Sequence, residues 1–284
     1  MTPPLRLKRL AQLPLRQEFV EQLTELLRPQ VEQLRQHMPI AAMFATLSAV
    51  LPGPEPTGTS FRDSWTLMYA TIGRLDSLQD GDPLQVLPQV ETVGEHYNLV
   101  FASYVLAASL LDDLATRVPA GRLYRLQRLW NNCMLRMADG QQQDLASGAA
   151  PLAFETLGIY QQIAQAKTGA TYALAFGGVA TLLADDHRLV DALTQVGEIY
   201  GTLVQYADDL RDATSQPNAA LTLPALLPFI PHGRDLMPSQ IASAFWSHVY
   251  TRYREAALDL LAPYPNVRDA VAVLFIDVFG PDAS

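Results

Sequence analysis

Two short clusters of aspartate are the residues of this chain best suited to chemistry. Asp112 and Asp113 close an apolar run in AASLLDDLATR, and Asp208, Asp209 and Asp212 end the stretch GEIYGTLVQYADDLRD. Carboxylates set against apolar neighbours are costly to desolvate unless a cation or water meets them. In a helix Asp208 and Asp212 share a face, with Asp209 beside them. Followed backwards, that face passes Gln205 or Val204 and reaches Gly201 and Gly197, a row of small residues that leaves space above it. Carboxylates this close, with Arg211 as their local cation, repel one another when ionised. A divalent metal removes that cost, and Mg²⁺ prefers oxygen ligands and keeps waters while bridging to substrate phosphates. A solvated helix end, with Arg117 paired to Asp113 one turn on, accounts for the first cluster as well. The apolar neighbours Val204, Tyr206, Ala207 and Leu210 make a solvated end less suited to the second.

Lysine is the next unusual feature. Of 20 basic residues only Lys8 and Lys167 are lysine. Lys167 stands in IAQAKTGATYALAF, a weakly charged helical stretch, followed by Thr168. It either snorkels to the surface or binds an anion in a cavity, and a diphosphate is the natural partner beside metal-binding aspartates. Other chemistries lack their residues. The sequence has no phosphate-cradling GxxxxGK[ST], no GxGxxG after a strand and no HExxH. It has no GxSxG nucleophile elbow, and its 5 histidines are scattered without ligand spacing.

The elements that must position these residues read as helices. Stretches rich in Leu, Ala, Gln and Arg show apolar residues at i, i+3, i+4 and i+7. Pro- and Gly-rich breaks separate them, as at Leu51–Gly58, Asp80–Pro88, Ser147–Pro151, Ser215–Asn218 and Pro228–Pro238. Asp80-Gly81 and Asp139-Gly140 read as helix ends. No repeat or long linker interrupts the pattern, so the expectation is one all-α domain over residues 1–284. With 284 residues, 49% of them hydrophobic, the chain can bury a large core and is not intrinsically disordered. Its single cysteine excludes an intramolecular disulfide framework and a cysteine-rich zinc module. A net charge of −9 argues against a nucleic-acid partner. The longest apolar run, Leu99–Leu111, falls short of the ~20 residues that cross a bilayer. No signal peptide is recognised, and a cytoplasmic protein without stable membrane insertion is expected.

Taken together the motifs resemble the trans-isoprenyl diphosphate synthase superfamily. Asp112-Asp113 falls at that family's first DDxxD motif, and Gly140-Gln141 with Asp144 (GQQQD) is similar to its GQxxD. Lys167-Thr168 matches its KT, Gln205 with Asp208-Asp209-Leu210-Arg211-Asp212 its Q and second DDxxD, and Thr222-Leu223-Pro224 its TLP. The resemblance runs in order from about Phe101 to Pro224. It implies an isoprenoid-synthase-type helical bundle around a central cavity, a homodimer, and three Mg²⁺ ions that bind and ionise a prenyl diphosphate. Asp112, Asp113, Asp208, Asp209 and Asp212 would be metal ligands. Lys167 and Arg117 would contact the diphosphate, and Thr168, Gln205 and Gln141 would line the substrate cavity. Phe101, Tyr104, Phe176 and Tyr200 offer aromatic faces to a carbocation or are plain core. Arg252-Tyr253-Arg254 closes the cavity mouth or is a solvated arginine face.

The departures redirect the activity. The third aspartate of the first motif is Thr116, and the region about Met38–Ser48, taken as the counterpart of the elongases' GKRxRP stretch, has no Lys or Arg. A second diphosphate would lose its charged partners there. The resemblance then points to elongase-like bacterial class I terpene synthases, which act on C15–C20 prenyl diphosphates, bicyclic diterpenyl diphosphates among them, and give alcohols such as kolavelool. The alternatives are a prenyltransferase passing the group to an acceptor and an inactive regulatory subunit of one.

Overall fold

The computed structural model describes residues 10, 13–36, 38–53, 55–81, 87, 90–147, 154–212, 223–229 and 238–280. All regular structure among them is helical, as the periodicity requires. The order is α1 (Gln17–Gln36), α2 (Met38–Val50), α3 (Glu55–Asp80) and α4 (Val93–Ser109), which runs into a 3₁₀ turn at Leu110–Leu114. After α5 (Ala120–Ser147), α6 (Phe154–Ala164) continues through a π turn at Gln165–Gly169 into α7 (Ala170–Leu183). Then come α8 (His187–Asp212), the short α9 (Leu223–Leu226) with a 3₁₀ turn at Leu227–Phe229, α10 (Pro238–Leu260) and α11 (Pro265–Phe279). Among the described residues no helix is long and apolar enough to cross a membrane.

The chain folds as two compact units, Met1–Ala45 with Pro54–Leu123, and Thr46–Gly53 with Tyr124–Ser284. In the first, α3 packs against α1, α4 and the 3₁₀ turn. Its core holds Phe44, Phe61 and Trp65, with the Phe44 and Trp65 rings edge-on at 5.5 Å. The buried Ser64 hydroxyl donates to the Ala107 carbonyl at 2.6 Å, which satisfies it and ties α3 to α4. A capping box starts α4. The Thr92 Oγ1 accepts from the Glu95 amide at 3.2 Å, and the Thr92 amide donates to Glu95 Oε2 at 2.8 Å.

The second unit is built around α7, whose residues from Ala170 to Leu183 are all buried. A helix apolar all round requires neighbours all round. The most extensive neighbour is α8, and glycines set its distance. A Cβ on Gly197 would collide with the Tyr172 carbonyl oxygen, and one on Gly201 with that of Thr168. The row of small residues therefore does not leave space above the aspartate face; it is filled by the backbone of the facing helix. Asp139-Gly140 also differs from its reading as a helix end, because α5 continues to Ser147. Gly140 is required inside the helix by contact: its Cβ would stand 2.6 Å from Ala166 Cβ and 2.9 Å from the Lys167 amide nitrogen. Asp80-Gly81 does end a helix, and Gly81 takes φ +75 there. Tyr200 is fully buried among Tyr172, Phe176, Phe275 and Phe279, with ring centroids 4.9–5.6 Å away. Cys133 of α5 is buried, and that burial pushes its thiol up to about 11.

Replacement of Gly201 by Ala is expected to cost about 1–3 kcal/mol by forcing α7 and α8 apart. Thr92→Ala, which removes a cap far from any such contact, should cost about 1 kcal/mol. Chemical denaturation of the two variants checks the order.

Candidate active site

The first aspartate pair lies in the 3₁₀ turn after α4. Leu110, Leu111 and Leu114 are buried, while Asp112 is exposed and Asp113 half-buried. Burial of one face thus fixes the turn and directs its acidic face outward. Arg117 is not paired with Asp113; its Nη1 donates to the Ser60 hydroxyl at 2.8 Å, on α3. The helix packed against this turn is α3. Its first described side chains are Ser60, Phe61 and Arg62, and the Arg62 Nε is buried without a hydrogen-bond partner among the described residues. The cation that the structure does place between this turn and α3 is Arg117.

In the second unit, α5, the π turn and α8 bring polar side chains together. Lys167 Nζ lies 2.5 Å from Asp144 Oδ2, with the two side chains 17% and 32% exposed. The lysine is neither snorkelled nor solitary; α5 holds it. The Thr168 hydroxyl donates to Gln205 Oε1 at 2.5 Å, and Gln205 Nε2 donates to Asp209 Oδ1 at 2.7 Å. Asp209 Oδ2 accepts from the Tyr160 hydroxyl at 2.7 Å and from the Leu223 amide at 3.3 Å. Burial pushes the Asp209 carboxyl above the ordinary aspartate value, opposed by the hydrogen bonds from Tyr160, Gln205 and Leu223. Burial, and the neighbouring Asp209, push the Tyr160 hydroxyl well up, so it stays protonated as a donor.

The adjacent aspartates consequently have different environments. Asp209 is occupied in joining α6, α8 and the start of α9. Asp208 carries a side chain 43% exposed, and its Oδ1 accepts from Arg211 Nη1 at 2.7 Å. The backbone of Asp212 ends α8, but its side chain lies outside the described residues, as does Thr222. Gln141, beside Gly140 and a turn before Asp144, is buried with its Nε2 unpartnered among the described residues. Among the described residues no three His, Cys, Asp or Glu side chains gather about one point.

The aromatic candidates divide. Phe176 and Tyr200 are fully buried in the ring cluster described above, Tyr104 is half-buried, and Phe101 is 66% exposed. Arg252 and Tyr253 border a cavity together with Tyr206, and none of Lys167, Thr168, Gln205 or Asp208 lines it. Tyr160 and the Leu223 amide were not legible as site groups, since their roles depend on contacts made by the tertiary fold.

The comparisons with known proteins bear on the fold and on the stretch that holds these residues. Residues 91–221, which hold both aspartate clusters, the GQQQD stretch and Lys167-Thr168, match the polyprenyl synthetase family profile. A geranylgeranyl pyrophosphate synthetase from the archaeon Geoglobus acetivorans superposes with TM-score 0.73 at 16% identity, over 97% of this chain and 94% of that one. The fold is that of the trans-isoprenyl diphosphate synthases. A Helicobacter pylori geranyltransferase, solved with magnesium and isoprenyl diphosphate, gives TM-score 0.72 at 16% identity over 96% and 94% of the two chains. A polyprenyl synthetase from Streptomyces coelicolor gives 0.62 at 19% identity over 92% and 97%. No curated protein sequence matches the chain. The superfamily resemblance read from the ordered motifs is thus borne out in fold and in the matched segment.

Tyr160→Phe removes a donor to a buried carboxylate and is expected to cost about 1–3 kcal/mol at neutral pH. That hydrogen bond holds the Asp209 value down. Its contribution is therefore present while Asp209 is ionised and is lost as pH falls through the folded-state value. Denaturation of wild type and variant at neutral and acid pH should show the difference shrinking on acidification.

Proposed function

We propose that this protein is a Mg²⁺-dependent enzyme that ionises an allylic prenyl diphosphate of C15–C20 length. The observation that carries the reading is that the polyprenyl synthetase stretch sets Lys167 on Asp144 and Thr168 on Gln205, on the two flanks of one π turn, with the part-exposed Asp208 following Gln205 on α8. Its domain is residues 1–284, and its place is the cytoplasm.

The donor set suits a hard cation. Asp208, part-exposed at a helix end, has the oxygen chemistry for one. Asp209 has its oxygens committed to three donors and supports the site from behind. We propose Asp208 and Asp212 as ligands from α8 and Asp112 and Asp113 as ligands from the 3₁₀ turn, with Asp209 behind the α8 ligands. Mg²⁺ bound there would act as a Lewis acid on the phosphate oxygens and stabilise the leaving group. Lys167 would offer the diphosphate an ammonium held in place by Asp144, and the proposed part of Arg117 is likewise that of a cation for a diphosphate. The allylic C–O bond breaks and its electron pair leaves with the diphosphate. Gln205 and Thr168, bonded to each other, present fixed dipoles to the resulting cation, and Gln141 Nε2, unpartnered among the described residues, is a donor for the diphosphate or a water. Capture of water gives an alcohol and a proton, while loss of a proton gives an alkene; the diphosphate accepts the proton in either case.

The replacement of the third aspartate by Thr116 favours this terpene synthase outcome. A second reading, transfer of the prenyl group to an acceptor such as isopentenyl diphosphate, is favoured by the packing of α3, with Ser60 bound to Arg117, against the first aspartate turn. We also propose a homodimer. Val93, Tyr97, Phe101 and Val105 recur every turn along α4 and are 39–66% exposed, an apolar stripe suited to a second copy.

Mass-spectrometric product analysis with Mg²⁺ decides between these fates. The substrates are C10, C15, C20 and bicyclic diterpenyl diphosphates, each with and without isopentenyl diphosphate. A hydrocarbon or alcohol without isopentenyl diphosphate is expected; a diphosphate five carbons longer, formed only with it, establishes transfer. No turnover with any substrate would leave a regulatory subunit as the reading. Asp208→Asn should abolish turnover without loss of helicity by circular dichroism, and full activity would remove Asp208 from the site.

A further inference from the structure

A cavity of about 270 Å³ lies between α6, α8 and α10, in the second unit. Small-molecule sites begin at about 300 Å³, so its size suits a compact ligand. Its walls are the rings of Tyr206, Phe245 and Tyr253, with centroids 6.0 and 6.2 Å from Tyr206 to the other two. Gln161 Nε2 donates to the Tyr253 hydroxyl at 2.9 Å, and Tyr253 is in turn hydrogen-bonded to Tyr206. The aromatic lining is thereby held rigid, with its hydroxyls satisfied by one another.

The rim differs in character from the walls. His248 and Arg252 stand one turn apart on α10, both exposed, and border the cavity. Among the described residues neither makes a hydrogen bond or ion pair, and none that lines the cavity is Asp or Glu. In a chain of net charge −9, a guanidinium with no ion pair among the described residues, at the mouth of an aromatic pocket, is a local reversal of sign. Aromatic walls take a flat apolar body, and a guanidinium takes a carboxylate, sulfonate or phosphate through paired N–H donors.

We propose that this cavity binds a small organic anion, its apolar body between the tyrosines and its charged group on Arg252. The site is separate from the lysine and aspartate chain described above. It shares a wall with that chain all the same. Tyr206 stacks on Tyr160 at 5.5 Å, and the Tyr160 hydroxyl holds Asp209.

The test needs neither substrate nor metal, so it stands apart from the proposed activity. The full chain is titrated with the fluorescent sulfonate 8-anilinonaphthalene-1-sulfonate and, separately, with its uncharged relative N-phenyl-1-naphthylamine. The variants are Arg252→Gln, which removes the charge at an exposed position, and Ala256→Trp, which fills the cavity from the same helix. Wild type should bind one sulfonate saturably, Arg252→Gln should weaken it about tenfold, the worth of a charged hydrogen bond, and Ala256→Trp should abolish it. The uncharged probe should be indifferent to Arg252→Gln and excluded by Ala256→Trp. Absence of saturable sulfonate binding to wild type overturns the proposal. So does sulfonate affinity unchanged in Arg252→Gln, whose fold is checked by circular dichroism and which carries the test if Ala256→Trp does not fold.

Discussion

A helix backbone can lie against another only where one of them offers no Cβ, and the second unit depends on three such places. Gly197 and Gly201 let α8 settle onto the backbone of Thr168 and Tyr172, while Gly140 lets α5 settle onto Ala166 and Lys167. Glycine inside a helix costs about 1 kcal/mol relative to alanine, and here the return is register. One turn beyond Gly140 stands Asp144, opposite Lys167; one turn beyond Gly201 stands Gln205, opposite Thr168. Each polar pair is thus placed by a glycine contact one turn away, on both flanks of the same π turn.

The π turn is what allows both pairs at once. Lys167 and Thr168 are neighbours in sequence, yet one reaches α5 and the other α8. Their side chains diverge around the helix, and the widened turn at Gln165–Gly169 sits where the two glycine contacts clamp it. Such turns inside otherwise regular helices concentrate at functional positions because they re-aim a side chain without ending the helix. Division of labour in the second aspartate cluster follows the same geometry. Rotation by one residue along α8 turns Asp209 inward, to a tyrosine, an amide side chain and a backbone amide, and leaves Asp208 at the edge.

Much of this was legible before any coordinates. Helical period and breaks gave the class of fold, and the unusual chemistry of Asp112-Asp113, Lys167-Thr168 and the second aspartate cluster marked the stretch that the family profile matches. What was not legible depends on what a residue meets across space. A row of glycines has the same sequence whether it borders a void or a neighbouring backbone, and Gly197 and Gly201 border a backbone. Arg117 has Asp113 a turn away, yet its hydrogen bond goes to Ser60, brought close by the packing of α3. The bland and the functional readings of Arg252-Tyr253 both missed their shared cavity, whose other walls come from α6 and α8.

The lone thiol of the chain has a use that follows from its burial. Nucleophilic attack requires thiolate, and Cys133, held up to about 11 in the interior of α5, has almost none at neutral pH. Alkylating reagents therefore react with molecules in which that helix has opened. A single endogenous atom becomes a clock for the opening of the helix that carries Gly140 and Asp144, with no label introduced and no second cysteine to confuse the count.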